Sequence, residues 1–331
     1  ETTTKKHFPG GRQVIREAFK KKGIPEDSLN ITLSSLSDSS LKQYNYALKK
    51  WWNFCMENNH PFFDAEMPTI LEFLTSEYNK GASYGTLNSI RSAISLIIGP
   101  EVGQSDLIRR FFKGLSKLRP SQPKYESTWD PKIVLDYFKE LPNKELSLDI
   151  LSKKLITLLA LVTGQRMQTL VNINIKNIVT RNDLIEIKIP SRIKTSKPGK
   201  NQPVLILPFF KDNPNICPAQ TLQLYLNLTK EIRNNFQSLF ISFKKPFKEV
   251  TTQTLSRWVK DTLQECGIDT DIFSAHSTRH ASTSSAKKNG VNIDMIRKCA
   301  GWTKDSSTFA NFYNRPIIQD PKAFAESILK C

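Results

Sequence analysis

Apolar residues recur at helical spacing through most of the chain's first third. Leu41, Tyr44, Leu48, Trp51 and Cys55 keep a 3.6-residue period, and Ser37 or Asp38 stands where a helix cap belongs. Ile70, Leu71, Leu74 and Tyr78 follow Pro68, a residue favoured in a first helical turn, and the pattern stops at Gly81. Leu87, Ile90, Ile94 and Ile97 predict a third helix ending at Gly99-Pro100. Leu107, Ile108, Phe111, Phe112, Leu115 and Leu118 predict a fourth. Short connections between such helices predict a compact bundle over residues 30–119. Before it, residues 1–29 read as a basic, polar arm in which Val14 to Lys22 can form a short helix.

The period changes further along. Asp130-Pro131 is a helix start, a capping acid followed by a first-turn proline. Leu151 to Val162 is apolar on several faces, which predicts a buried helix, and Gly164 can end it in the left-handed conformation. Arg166 follows two residues later. Ile185, Ile187 and Ile189 then alternate with Glu186 and Lys188, the period of a half-buried strand, and Val204 to Leu207 is its partner. Helices resume over Pro218 to Thr229 and Gln253 to Glu265, then from His280 to about Lys288 and through Ile293 and Ile296. The fold class expected is mainly α with a small β-sheet: an N-terminal helical domain, then a mixed α/β domain over residues 128–331.

Charge sharpens this picture. Lys plus Arg total 48 against 31 Asp plus Glu, a formal net charge of +17 over 331 residues, which implies a polyanionic partner, nucleic acid first. From Ile108 to Lys124 the chain carries Arg109, Arg110, Lys113, Lys117, Arg119 and Lys124 and no acid. Residues 120–127 read as a basic linker, and this whole stretch as a contact with a phosphate backbone. The strand connection PSRIKTSKPGKNQP adds Arg192, Lys194, Lys197 and Lys200. Five scattered cysteines without a C-x-x-C pair fit a reduced intracellular compartment, and no H-E-x-x-H or Walker pattern suggests a metal or ATP. No signal peptide and no membrane span are read, so no membrane partner is expected.

Candidate chemistry lies between Phe273 and Pro316. His276 and Arg279 stand three apart, Gly301-Trp302 follows, and Tyr313 sits in a small polar and aromatic run. Imidazole, guanidinium and indole N–H can all address one phosphate diester, and a phenol oxygen can form a covalent intermediate.

In that order, Arg166, a lysine hairpin, His276-x-x-Arg279, Gly301-Trp302 and Tyr313 resemble the tyrosine recombinases, the phage integrase superfamily. The runs KTSKPGKNQP and AGWTKDSSTFANFYNRP look most like the DIRS-type and Crypton-type recombinases of eukaryotic mobile elements. The resemblance covers about residues 30–331 and implies a core-binding domain followed by a catalytic domain that together clamp duplex DNA. It implies Tyr313 as nucleophile, Arg166 and Arg279 on the scissile phosphate, His276 as hydrogen-bond donor or base, Trp302 as an indole donor, and Lys194 as general acid. His280, next after the H-x-x-R motif, is a possible second phosphate contact. The implied reaction leaves a 3′-phosphotyrosine and a 5′-hydroxyl, without metal or ATP. Four protomers would assemble on two duplexes, with the tail DPKAFAESILK as a helix to exchange. Location would be nuclear if the source is eukaryotic, otherwise cytoplasmic. Thr169 stands where the family often has an acid, and the 11 residues from Trp302 to Tyr313 are more than the resemblance leads one to expect. A type IB topoisomerase and a non-catalytic DNA-binding derivative are the alternatives.

Overall fold

The computed structural model describes residues 7–120, 122–194, 196, 199, 202–303, 305–318 and 329. The chain forms two compact units, residues 1–122 and 123–331.

The first unit is helical: α1 (Gly11–Lys21), α2 (Glu26–Leu33), α3 (Asp38–Glu57), α4 (Met67–Asn79), α5 (Tyr84–Ile97), α6 (Glu101–Gln104) and α7 (Asp106–Leu118). Ser37 and Ser83 cap α3 and α5 by accepting from Ser40 N and Thr86 N, and Pro68 opens α4. The predicted stripes meet in one core of Leu48, Trp51, Ile70, Leu74, Ile90, Ile94, Ile108 and Phe112, with the Trp51 indole donating to the Phe62 carbonyl at 3.0 Å.

Two sequence expectations need correction here. The stretch assigned to an arm is part of the bundle: Val14, Ile15, Ala18 and Phe19 of α1 and Leu29 and Leu33 of α2 are buried in that same core. Gly11 lies so close to α3 that a Cβ on it would stand 2.7 Å from the Asn45 Cα, and its N–H donates to Asn45 Oδ1 at 2.6 Å. The second concerns the fourth helix, which carries most of the basic run and continues to Leu118 as expected. Ile108, Phe112 and Leu115 face inward, while Arg109, Arg110, Lys113 and Lys117, with Arg119 just beyond, stay exposed. Leu107 and Leu118, expected in the stripe, fall off its edge and are exposed.

The second unit carries α8 (Pro131–Lys139), α9 (Leu148–Thr163), α10 (Met167–Val171), β1 (Ile178–Thr180), β2 (Leu184–Lys188), β3 (Val204–Pro208), α11 (Pro218–Thr229), α12 (Thr252–Glu265), α13 (Ser277–Lys288) and α14 (Ile293–Cys299). The strands form one antiparallel sheet in the order β1-β2-β3, with Ile185 opposite Leu207 and Ile187 opposite Leu205. These four side chains are buried, and Val204 and Ile206 point to the other, open face. Helix α9 runs through the core, so even Lys154 is sealed, its ammonium donating to the carbonyls of Phe138 and Leu141. Tyr125, within the expected linker, is buried in this unit's core. Next to it, Thr128 pairs with the chain's far end: its N–H donates to Pro316 O at 2.9 Å, and its carbonyl accepts from Ile318 N at 2.7 Å. The exchange helix expected after Asp320 lies outside the described residues.

Candidate active site

Helix α9 ends where Gly164 takes a positive φ of 57°, which a glycine adopts without a Cβ penalty. The chain leaves that turn through Gln165 and Arg166. Helix α13 is anchored beside it: the Trp129 indole donates to Ser277 Oγ at 2.8 Å, and Ser282 Oγ donates to the Leu161 carbonyl of α9. Arg166, His276 and Arg279 thereby line one pocket of about 210 Å³, together with Gln168, Thr252 and Ser256.

Arg279 is 1% exposed. Its guanidinium donates to the carbonyls of Gly164 and Ala300, the latter at 2.6 Å, and its Nε has no partner among the described residues. Burial, then the Arg166 charge, disfavours the cation. An arriving phosphate would relieve both. Arg166 is half-buried, with Thr169 in place of an acid; the Thr169 side chain is buried, and its N–H donates to the Arg166 carbonyl at 2.8 Å.

Tyr313 closes a π-helical turn, Phe309–Tyr313, in which Asn314 N donates to Phe309 O at 2.8 Å. Such wide turns take in an extra residue and are frequent at functional sites. Despite the long spacing from Trp302, the two rings stand 4.9 Å apart, and Tyr313 is 9% exposed. The Arg279 guanidinium carbon lies 4.3 Å from the Trp302 ring and 5.3 Å from that of Tyr313. The Trp302 indole nitrogen is buried and, among the described residues, unpartnered.

The phenol meets His276, with Nε2 at 2.9 Å from the Tyr313 hydroxyl. Crowding around the imidazole, then the charges of Arg279, Arg166, Lys124 and Lys194, pulls its pKa down to about 4. His276 as a whole residue is exposed, but crowding at the ring and the nearby cations act in the same direction. At pH 7 the ring is therefore neutral and can accept a proton from the phenol.

Lys194 is exposed on the β2–β3 connection, near enough for its charge to act on His276. Arg192 is exposed on the same connection, and Lys197 and Lys200 lie outside the described residues. His280, expected as a second phosphate contact, stacks on Tyr313, with ring centroids 4.3 Å apart and planes 28° from parallel. Burial, then His276 and nearby cations, pushes it to about 3, so it too is neutral. The basic residues of α7 belong to the other unit.

Sequence reasoning missed Gln165, Tyr125 and Ser284 as contributors, and placed Lys124 only in the basic stretch. Gln165 donates to the Cys299 carbonyl and braces the approach to Trp302. Lys124 and Tyr125 meet at Ser274, two residues before His276. Ser284 Oγ donates to the Tyr313 carbonyl at 2.8 Å and accepts from Arg315 N at 3.0 Å. Loop residues such as Gln165 and Tyr125, and a lone serine on a helix such as Ser284, carry no periodic signal that would have found them.

A model of the phage integrase family matches residues 138–317, more than half of the chain. No curated protein matches by sequence. Among solved structures, the chain is similar to the XerH site-specific recombinase bound to difH substrate in a pre-cleavage complex, at 14% identity and a TM-score of 0.59, over 96% of this chain and 94% of that one. A lambda integrase (75-356) dimer bound to a COC' core site matches at 16% identity and 0.52, over 93% and 97%. The Tn1549 transposon integrase (aa 82-397) in complex with circular intermediate DNA matches at 15% and 0.51, over 96% and 99%. At these identities the likeness is one of fold. With the family match covering both the helical core and the Tyr313 segment, the chain belongs to the phage integrase family and is a tyrosine recombinase, an enzyme of site-specific DNA recombination.

Proposed function

We propose that Tyr313 is the nucleophile of this recombinase and that Arg166, Lys194, His276, Arg279 and Trp302 serve its attack on one phosphodiester of duplex DNA. The observation that carries this reading is the 2.9 Å contact between the Tyr313 hydroxyl and His276 beside the buried Arg279. The phenol oxygen bonds to phosphorus as its proton passes to neutral His276 Nε2. Arg166, the free Nε of Arg279 and the Trp302 indole N–H take up the charge that grows on the non-bridging oxygens. One such donor is commonly worth about 2.7–4 kcal/mol, or 10²–10³ in rate. The bond to the 5′-oxygen breaks, Lys194 supplies its proton, and a 3′-phosphotyrosine and a 5′-hydroxyl remain. A second 5′-hydroxyl reverses the step, so the bond energy is kept and neither metal nor ATP is drawn on.

The wider reading follows from the same assignments. Duplex DNA lies against the exposed face of α7 in one unit and the phosphate pocket in the other, and four protomers assemble on two duplexes. The likeness of KTSKPGKNQP and AGWTKDSSTFANFYNRP to eukaryotic mobile-element recombinases supports a transposable-element source and action in the nucleus.

The test is a nicked suicide duplex from which the short 5′-hydroxyl strand diffuses away. The wild type accumulates a covalent adduct. Tyr313→Phe binds the duplex equally and forms none. An adduct surviving in that variant moves the nucleophile elsewhere.

A further inference from the structure

One face of α13 follows the nucleophile along its whole length. His276, His280 and Ser284 are four residues apart in turn, so their side chains form one stripe rising about 6 Å per step. The first meets the Tyr313 hydroxyl, the second lies flat on the ring, and the third holds the main-chain carbonyl. Only the first of these three contacts has a part in the chemistry above. Resting on the reading of Tyr313 as nucleophile, we infer that His280 and Ser284 are positioning residues that fix the tyrosine's ring and main chain for attack.

Each has the fit for that role. His280 is 6% exposed, and Tyr125 stands edge-on to its ring at 4.9 Å and 84°. The imidazole is thus held between two phenol rings, one edge-on and one face to face. Its Nδ1 is buried and makes no hydrogen bond among the described residues, so the ring's shape and flat face are what it offers Tyr313. Neutrality matters here, since a charged imidazole would stand against His276, Arg315, Arg279 and Lys124. Ser284 is buried at 4% exposure, and its one hydroxyl bridges the Tyr313 carbonyl and the Arg315 N–H. That bridge stands where the π-helical turn ends and the regular ladder gives the carbonyl no partner of its own. A tyrosine side chain turns about two bonds. Losing alignment by about 1 Å can cost about 10²-fold in rate.

The experiment measures single-turnover cleavage of the nicked suicide duplex, beside duplex affinity and thermal unfolding for each variant. His280→Ala is expected to cleave about 10- to 100-fold more slowly at unchanged affinity. His280→Phe keeps a flat ring without nitrogens and recovers most of that rate, whereas His280→Asn keeps polarity without a ring and stays slow. Ser284→Ala slows cleavage about 10-fold and Ser284→Thr, which keeps the hydroxyl, restores it. Replacing the bridging 5′-oxygen by sulfur rescues none of the slow variants. The comparison of Phe with Asn decides the matter even if the alanine variant unfolds. Equal loss in Phe and Asn together with weakened affinity would make His280 a phosphate contact and overturn the inference. Rescue by sulfur would make it a proton donor and overturn it too, as would wild-type rates in His280→Asn and Ser284→Ala. Failure of the Tyr313 assignment is read separately, from an adduct that survives Tyr313→Phe.

Discussion

Arg279 has no carboxylate within ion-pair distance among the described residues; two main-chain carbonyls hold its guanidinium instead. A buried cation without a counter-charge is costly, and under the proposed function the substrate phosphate would supply that charge. The proton donor can be told apart from such phosphate binders by the leaving group. A 5′-alkoxide has a conjugate acid as weak as water, pKa about 15.7, and a general acid there is commonly worth about 10²–10⁴ in rate. A thiol ionises near about 8.5, so a thiolate leaves unaided. Cleavage of a 5′-bridging thio substrate should therefore rescue Lys194→Ala but not Arg166→Ala or Arg279→Ala; a defect and rescue in Lys197→Ala or Lys200→Ala would shift the assignment along the hairpin. His276 makes a second prediction. Its pKa of about 4 leaves it a proton acceptor throughout the neutral range, so adduct formation should stay level as pH falls and drop only around pH 4. A drop centred near 6.5 would mean that its neighbours do not perturb it. Both arginines, the histidine, the tryptophan and the tyrosine were legible as residues because polar and aromatic types in this order are distinctive. Ser284 and the stacking of His280 were not, because they depend on the helical face that three-dimensional packing selects.

At the scale of elements, α9 shows where pattern reading succeeds. Its all-round apolar run predicts burial, and the positive φ of Gly164 is where the sequence put the stop. Lys154 within it tests what that burial demands. Burial pulls the Lys154 ammonium down to about 8 from an ordinary 10.5. The unfolded chain then binds more protons than the folded one between those values. The unit's stability should rise with pH across about 8 to 10.5, by this group's contribution alone. Lys154→Met should abolish that rise and leave the Phe138 and Leu141 carbonyls without their donor, at a cost of about 1–3 kcal/mol. Chemical denaturation at pH 7.5 and 10 checks both, and an unchanged pH dependence in the variant would assign the rise to other groups. Helix α1 shows the opposite case. Arg12, Arg16, Lys20, Lys21 and Lys22 in and beside it masked a stripe of only Val14, Ile15, Ala18 and Phe19, so the sequence read as an arm. The short β1 and α10 were missed for the same reason, too few residues to establish a period.

Across the whole molecule basic residues are in surplus. Arg109, Arg110, Lys113 and Lys117 occupy the exposed side of α7, where phosphate contacts would release counterions. Binding should weaken steeply with salt, and Arg109→Glu with Arg110→Glu should flatten the log–log slope measured by anisotropy. An unchanged slope would mean that this face meets solvent in the complex. The mainly helical class was legible from the repeated 3.6-residue period, and the detail lost was where one unit hands over to the next. That handover carries a mechanical consequence. Thr128 and Ile317 are joined by backbone hydrogen bonds although nearly the whole second unit separates them in sequence. The unit is thus cinched shut four residues beyond Tyr313, like a cable passed through a gland. A pull on the chain beyond Ile318 would load the bonds to Thr128 before it reached Tyr313.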